Sequence, residues 1–184
     1  MMTKISETIS INEITDPAHA GTLADIGAET FSQTFGHLYS RQDLQLFLTG
    51  KHSAECYRKL ITDQETAVWL ARNRAGEAIG YAVAGPCGLP VPDMPAKSGE
   101  LLRIYVREAS RGGGLGQKLL VQVFDWLEGR FDHIYLSVYA ENHGAQRLYK
   151  RYGFEKVHDY FFMVGNHADP EFIFKQRKAG SDAS

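Results

Sequence analysis

The run Arg111-Gly112-Gly113-Gly114-Leu115-Gly116 lies directly between a strand-like and a helix-like segment. Glycines there let the backbone approach a ligand with no Cβ in the way. A helix start offers N–H groups without intrahelical partners and a partial positive charge. Together these features make a site for a pyrophosphate-like anion. Arg111 adds a guanidinium for a charge-assisted contact. Two nucleotide readings compete with this one, and both fit poorly. A phosphate-binding P-loop ends in Gly-Lys-Ser/Thr, whereas Gly116 is followed by Gln117-Lys118-Leu119. A dinucleotide fingerprint counted from Gly114 meets Leu119 where its last glycine belongs, and starting at Gly112 or Gly113 does not restore it. Taken alone, the turn is also compatible with a plain flexible loop that opens a helix.

A second feature lies downstream, in the segment from Leu136-Ser137-Val138-Tyr139 through Asn142-His143-Gly144-Ala145-Gln146-Arg147-Leu148-Tyr149 to Gly153-Phe154. With Leu102-Arg103-Ile104-Tyr105-Val106 and Arg111-x-x-Gly114-x-Gly116 upstream, it resembles the GNAT N-acetyltransferase family. The family pattern is an apolar strand ending in Val, then Gln/Arg-x-x-Gly-x-Gly/Ala. A further strand follows, then Asn-x-x-Ala-x-x-Leu/Phe-Tyr, then Gly-Phe. Every part is present and in order, over about a third of the chain. The region from Glu100 to Phe154 carries nearly all of it.

The resemblance implies an α/β fold with a mixed central sheet of about seven strands, one pair of them splayed, flanked by helices. It implies acetyl-coenzyme A as co-substrate and no metal. The pantetheine arm would lie in the splayed gap like a substitute strand, against Ile104, Tyr105 and Val106. An N–H of that strand would polarise the thioester carbonyl. Amides of Arg111, Gly112, Gly113, Gly114, Leu115 and Gly116 would hold the pyrophosphate. Asn142 and Ala145 would flank the pantetheine.

Tyr149 matches the family's usual general acid. Attack of an amine on the thioester expels a thiolate whose conjugate acid has a pKa near ~8.5, and a phenol of pKa near ~10 can protonate it or hydrogen-bond to it. Tyr152 lies at the wrong distance from Gly153-Phe154 and reads as packing. An alkyl ammonium, of pKa near ~10, must also lose a proton. Glu100 is the candidate base, with Glu141 and Asp93 as alternatives.

The acceptor is expected to be a primary amine of a small molecule. Glu29-Thr30-Phe31-x-x-Thr34-Phe35 and His158-Asp159-Tyr160-Phe161-Phe162-Met163-Val164-Gly165 resemble a bacterial subgroup that includes spermidine/spermine acetyltransferases. On that reading Glu29, Asp43 and Asp159 attract a polycation, and Tyr160, Phe161 and Phe162 flank it. The alternatives are an amino acid, an antibiotic or a protein amine as acceptor, or a sensor that binds acetyl-coenzyme A without turnover.

These residues need elements to position them. A strand is expected over 8–14. A helix follows from Pro17, capped by Asp16, to Phe35. Ser40 with Asp43 opens a second helix carrying Leu44, Phe47 and Leu48. Ser53 opens a third carrying Cys56, Tyr57, Leu60 and Ile61. Strands over 66–73 and 78–84 flank a turn at Arg74-Ala75-Gly76. Residues 85–98 hold four prolines and form a long loop. Then come a strand over 100–106, a helix over 115–127 with Leu115, Leu119, Leu120, Val123, Trp126 and Leu127 at helical spacing, a strand over 133–139 and a helix over 142–152. Two strands, over 156–164 and 171–174, close the chain. Strand–helix–strand units mixed with hairpins give an α/β domain on a mixed sheet.

Composition agrees. At 184 residues, the chain reads as one domain over 1–176 with a polar tail over 177–184. A net charge of -2 gives no global reason to expect nucleic acid or an anionic membrane as partner. Cys56 and Cys87 are too few for a disulfide framework, and no Cys/His spacing suits zinc. No secretory signal or membrane-length apolar run is visible, so a cytoplasmic location is expected. Homodimerisation is compatible with the family but has no signal in these residues.

Overall fold

The computed structural model describes residues 9–177. Seven strands form one sheet in the order β1-β2-β3-β4-β5-β7-β6. They are β1 (Ser10–Glu13), β2 (Ala67–Arg72), β3 (Ala78–Pro86), β4 (Ser98–Val106), β5 (His133–Tyr139), β6 (Phe154–Val164) and β7 (His167–Gln176). The helices are α1 (Ala20–Phe35), α2 (Arg41–Lys51), α3 (Ala54–Thr62), α4 (Leu115–Glu128) and α5 (His143–Arg151). The β4–β5 pair is parallel and the other pairs are antiparallel, so the sheet is mixed.

Local chemistry explains most boundaries. Ser40 Oγ accepts the Asp43 N–H and Ser53 Oγ accepts the Cys56 N–H, capping α2 and α3. Pro17 opens a single 3-10 turn, which Asp16 caps through the Ala18 N–H, so α1 begins at Ala20. Of the strand expected over 8–14, Ser10–Glu13 forms and Thr8 lies outside the described residues. The last strand is much longer than 171–174, because a two-residue turn at Gly165 and Asn166 pairs Val164 with His167 and continues to Phe154 with Gln176. Gly165 sits at φ +59, which suits such a turn. Pro170 is tolerated beside β5 because the β5–β7 pairing ends at Tyr139 with Glu171.

Helices cover both faces of the sheet. On one face, α4 buries Leu119, Val123 and Leu127 against Leu136, Val138 and Phe174. On the other, α1 and α3 bury Leu23, Ile26 and Tyr57 against Val68, Leu70 and Tyr81. Strand β3 is therefore buried along nearly its whole length.

One irregularity shapes the centre of the sheet. Ala84 faces Leu101 and Val83 faces Arg103, which leaves Leu102 as an extra residue in β4. Such a bulge bends its strand and reverses the alternation beyond it. Leu101, Ile104 and Val106 consequently pack on the α4 side, while Tyr105 packs with the α1 side. Pairing of β4 with β5 stops at the same level, at Leu101 with Leu136. From there the two strands splay.

Candidate active site

The splay opens into a cleft of about 440 Å³. One wall is β4 from Glu100 to Val106. The other holds Ser137, Val138 and Tyr139 of β5 with Asn142, Ala145 and Tyr149. Phe31, Phe35 and Tyr39 roof it from the α1 side, and Phe162, Asp169 and Glu171 enter from the β6–β7 hairpin. Beyond Leu101, β4 has no strand partner on the β5 side, so main-chain groups over 102–106 form an open edge there.

The glycine loop lies at one end of that edge. Gly112 and Gly114 have φ values of +84 and +78, which favour glycine over any other residue. No atom lies within 4 Å of where a Cβ would stand on Gly112, Gly113 or Gly114, so the loop surface is open. Gly114 caps α4 without any side-chain hydrogen bond, and the N–H groups of Leu115 and Gly116 begin the helix. This is the geometry of an anion site. Arg111 is engaged differently from the expectation. Its Nε donates to the Val106 carbonyl at 3.1 Å and its Nη2 donates to Thr34 Oγ1 at 3.0 Å. The guanidinium thus ties the loop to β4 and α1, and it occupies one carbonyl of the open edge.

Asn142 starts α5 by accepting the Ala145 N–H on Oδ1 at 3.1 Å. Its amide N–H groups are left for the cleft. Tyr149 is 7% exposed and borders the cleft. Burial, and secondarily the charge of Glu171, pushes its pKa above the usual phenol range. The phenol therefore stays protonated at neutral pH.

Glu100 is the third residue of β4 and is also 7% exposed. Its Oε2 accepts the Gly88 N–H at 2.9 Å, and the Cys87 thiol also bonds to it. Burial outweighs these two bonds and raises its pKa from 4.5 to about 7. The proline-rich loop therefore supports this carboxylate through its first residues. Glu141 pairs with His143 on the surface at 3.7 Å, and Asp93 sits in the loop at φ +50. Neither of these alternatives borders the cleft.

Two further carboxylates border the cleft. Glu171 accepts the Tyr160 hydroxyl at 2.9 Å and is also bonded by Ser137; burial raises its pKa. Asp169 is 3% exposed and accepts the Tyr39 hydroxyl on Oδ2. His167 Nε2 lies 3.2 Å from Asp169 Oδ1 but out of line for a hydrogen bond. The acids expected to attract a polycation are occupied elsewhere. Glu29 pairs with Arg107 at 2.7 Å, Asp159 pairs with Lys156 at 2.7 Å, and Asp43 accepts the Asn166 N–H at 2.8 Å. Of the three aromatics, Phe162 borders the cleft while Phe161 is 69% exposed. Hairpin counting would have found Glu171: a turn at Gly165-Asn166 sets Tyr160 opposite it. Among the described residues no His/Cys/Asp/Glu group could hold a metal, and no helix is long and apolar enough to cross a membrane.

Comparison with known proteins gives consistent results. The chain is 24% identical over 156 residues to an uncharacterized N-acetyltransferase of Lactobacillus delbrueckii subsp. lactis, covering 82% of this chain and 87% of the relative. It is 36% identical over 84 residues to the spermine/spermidine N(1)-acetyltransferase of Bacillus subtilis, covering 44% of this chain and 54% of that protein. Its fold matches the PaiA N-acetyltransferase of Thermoplasma acidophilum, solved in complex with coenzyme A, with a TM-score of 0.71 and 20% identity over 92% of this chain and 99% of that one. The model of the acetyltransferase (GNAT) family matches residues 30–154, the stretch that holds the splay, the glycine loop and α5. Well over half of the chain thus fits that one model, and the chain belongs to the GNAT acetyltransferase family, as an N-acetyltransferase.

Proposed function

We propose that the protein transfers acetyl from acetyl-coenzyme A directly to the primary amine of a small molecule, both substrates being bound together. The observation that carries this reading is the meeting in one cleft of an unpaired β4 edge, the protonated phenol of Tyr149 and the buried carboxylate of Glu100, with the open glycine loop following Arg111 at the cleft's border.

The α4 start and the loop amides hold the pyrophosphate, and the β4 edge over 102–106 takes the pantetheine as a strand. A β4 N–H beside the bulge stabilises the oxygen that gains charge during attack. Glu100 accepts a proton from the incoming ammonium, directly or through water. The amine nitrogen then bonds to the acetyl carbon, the carbon–sulfur bond breaks, and the phenolic proton of Tyr149 passes to the departing sulfur. The nitrogen's second proton leaves to solvent and reprotonates Tyr149 in net terms. A base with a pKa of about 7 is well matched to neutral pH.

Among the described residues, Glu100, Asp169 and Glu171 border the cleft with no lysine or arginine paired to any of them, which favours a cationic acceptor beside them. The partial likeness to the Bacillus subtilis enzyme brings polyamines forward as the first class to try. The test is thiol release from acetyl-coenzyme A against spermidine, spermine, amino acids, aminoglycosides and short peptides. Fast transfer to the polyamines alone supports both chemistry and acceptor. Transfer to another amine keeps the chemistry and discards the polyamine. Cofactor binding with no transfer to any of them leaves a sensor, or an acceptor outside this panel.

A further inference from the structure

Glu171 has no role in the scheme above, yet it is built like a functional group. It stands on β7 beside the splay, mostly buried, and borders the cleft. Tyr160 of β6 donates to its Oε2 at 2.9 Å, and Ser137 of β5 bonds to it from the cleft wall. No lysine or arginine pairs with it among the described residues. Two hydroxyl bonds cannot replace a full counter-charge, so a carboxylate placed here is left short of a cation.

Its surroundings deepen that shortage. Asp169, two residues earlier on the same face of β7, adds negative charge, and Tyr39 and His167 turn toward Asp169 instead. Tyr105 of β4 and Tyr149 of α5 are close enough to feel the charge of Glu171, and neither supplies a positive one. Three cations border the cleft, Lys51, Arg103 and Arg111, and none of them forms an ion pair with Glu171. Arg111 binds Val106 and Thr34, and Arg103 lies over the Tyr57 ring with Nη2 near Cys56 Sγ.

Glu100 stands on the other side of β5. Strands β4 and β7 both pair with β5, Glu100 opposite Tyr135 and Glu171 opposite Tyr139, with Ser137 midway. The two carboxylates thus flank one stretch of cleft wall, and Glu100 feels the charge of Glu171.

We propose that Glu171 is the residue that recognises the acceptor, holding the incoming ammonium between itself and Glu100 over Ser137. This deepens the proposed reaction and rests on it: Glu171 binds the cation and Glu100 takes its proton. The ligand class is a primary ammonium, whatever the rest of the acceptor carries.

The test uses Glu171→Gln, which keeps the shape and an acceptor for Tyr160, and Glu171→Asp as the conservative variant. Spermidine and tyramine serve as acceptors. In Glu171→Gln the KM for the amine rises about tenfold or more, as expected for loss of a charged hydrogen bond. The KM for acetyl-coenzyme A stays unchanged, and Glu171→Asp recovers part of the loss. The acid limb of kcat/KM also moves to lower pH, because Glu100 loses a like charge beside it. An unchanged amine KM overturns the proposal, as does an equal rise for both substrates. So does an acid limb that vanishes in Glu171→Gln and persists in Glu100→Gln, which would make Glu171 the base. If neither amine is acetylated, calorimetric titration of both into the coenzyme A-loaded protein decides separately. Binding that weakens in Glu171→Gln supports the proposal even where the turnover reading has failed. Binding that is equal in both proteins, or undetectable at millimolar amine in the wild type, overturns it.

Discussion

Glu100→Gln is expected to make the protein more stable at neutral pH while it damages the reaction. The wild-type carboxyl is 7% exposed and has no cationic partner among the described residues. Its pKa rises from 4.5 to about 7 on folding. Between those two values the folded chain holds a proton that the unfolded chain releases, so stability falls as pH rises through that window. Below 4.5 the penalty is absent, and above about 7 it is complete. At about 1.4 kcal/mol for each pH unit, the full penalty comes to about 3 kcal/mol. Glutamine keeps an oxygen for the Gly88 N–H and carries no charge to bury. For a chain of this size about 3 kcal/mol corresponds to about 6–12 °C in Tm. Thermal unfolding at pH 5 and pH 8 checks it: the variant gains on the wild type by that margin at pH 8 and by little at pH 5. Parallel curves across that range would show that Glu100 titrates as it does in the unfolded chain. The base role would then lose its physical support. The same variant should also lose the acid limb of kcat/KM near pH 7.

Three other outcomes are expected. Tyr149→Phe lowers kcat by about 10²–10⁴, the range of a general acid, while acetyl-coenzyme A still binds by calorimetry with near wild-type affinity. Equal loss of both would make Tyr149 structural. Gly114→Glu abolishes coenzyme A binding, since φ is +78 there and a carboxylate would face the pyrophosphate; unchanged affinity in a folded variant would sink the loop assignment. Gly165→Ala destabilises by about 1–3 kcal/mol in urea unfolding, because φ is +59 and the new Cβ would stand 2.3 Å from Asp43 Oδ1. A neutral result would mean that the hairpin turn shifts freely on α2.

What the sequence shows and what it hides follow from the range of the interactions. Ser40 and Ser53 are readable as caps because a cap closes over three residues. Helix α4 is readable because its apolar positions recur at helical spacing. The bulge at Leu102 is hidden, since Leu101-Leu102 offers no glycine or proline to mark it and either parity buries a leucine. The extent of β7 is hidden by Asp169-Pro170, which reads as a breaker until β6 is seen to hold it in register. Glu171 and Asp169 are inconspicuous along the chain unless the hairpin is counted out from a turn at Gly165-Asn166. Only the pairing of β5, β6 and β7 brings them to Ser137, Tyr160 and Tyr39. Glu29, Asp43 and Asp159 stand out by contrast, but each is engaged elsewhere by a group that no local pattern reveals.

The roof of the cleft is a joint between distant parts of the chain. Asp43 holds the Asn166 N–H across 123 positions, Tyr39 holds Asp169 across 130, and the Phe47 and Phe162 rings meet edge to face at 5.7 Å. The segment from β4 through α5, by comparison, is one continuous stretch. The two parts are therefore held together by contacts of different range along the chain. The roof can be exchanged only as a matched pair, because an α2 grafted without its own hairpin would leave Asp43, Tyr39 and Phe47 facing foreign surfaces. Chimeras that swap the 36–51 and 158–170 segments together should fold, and those that swap either alone should not.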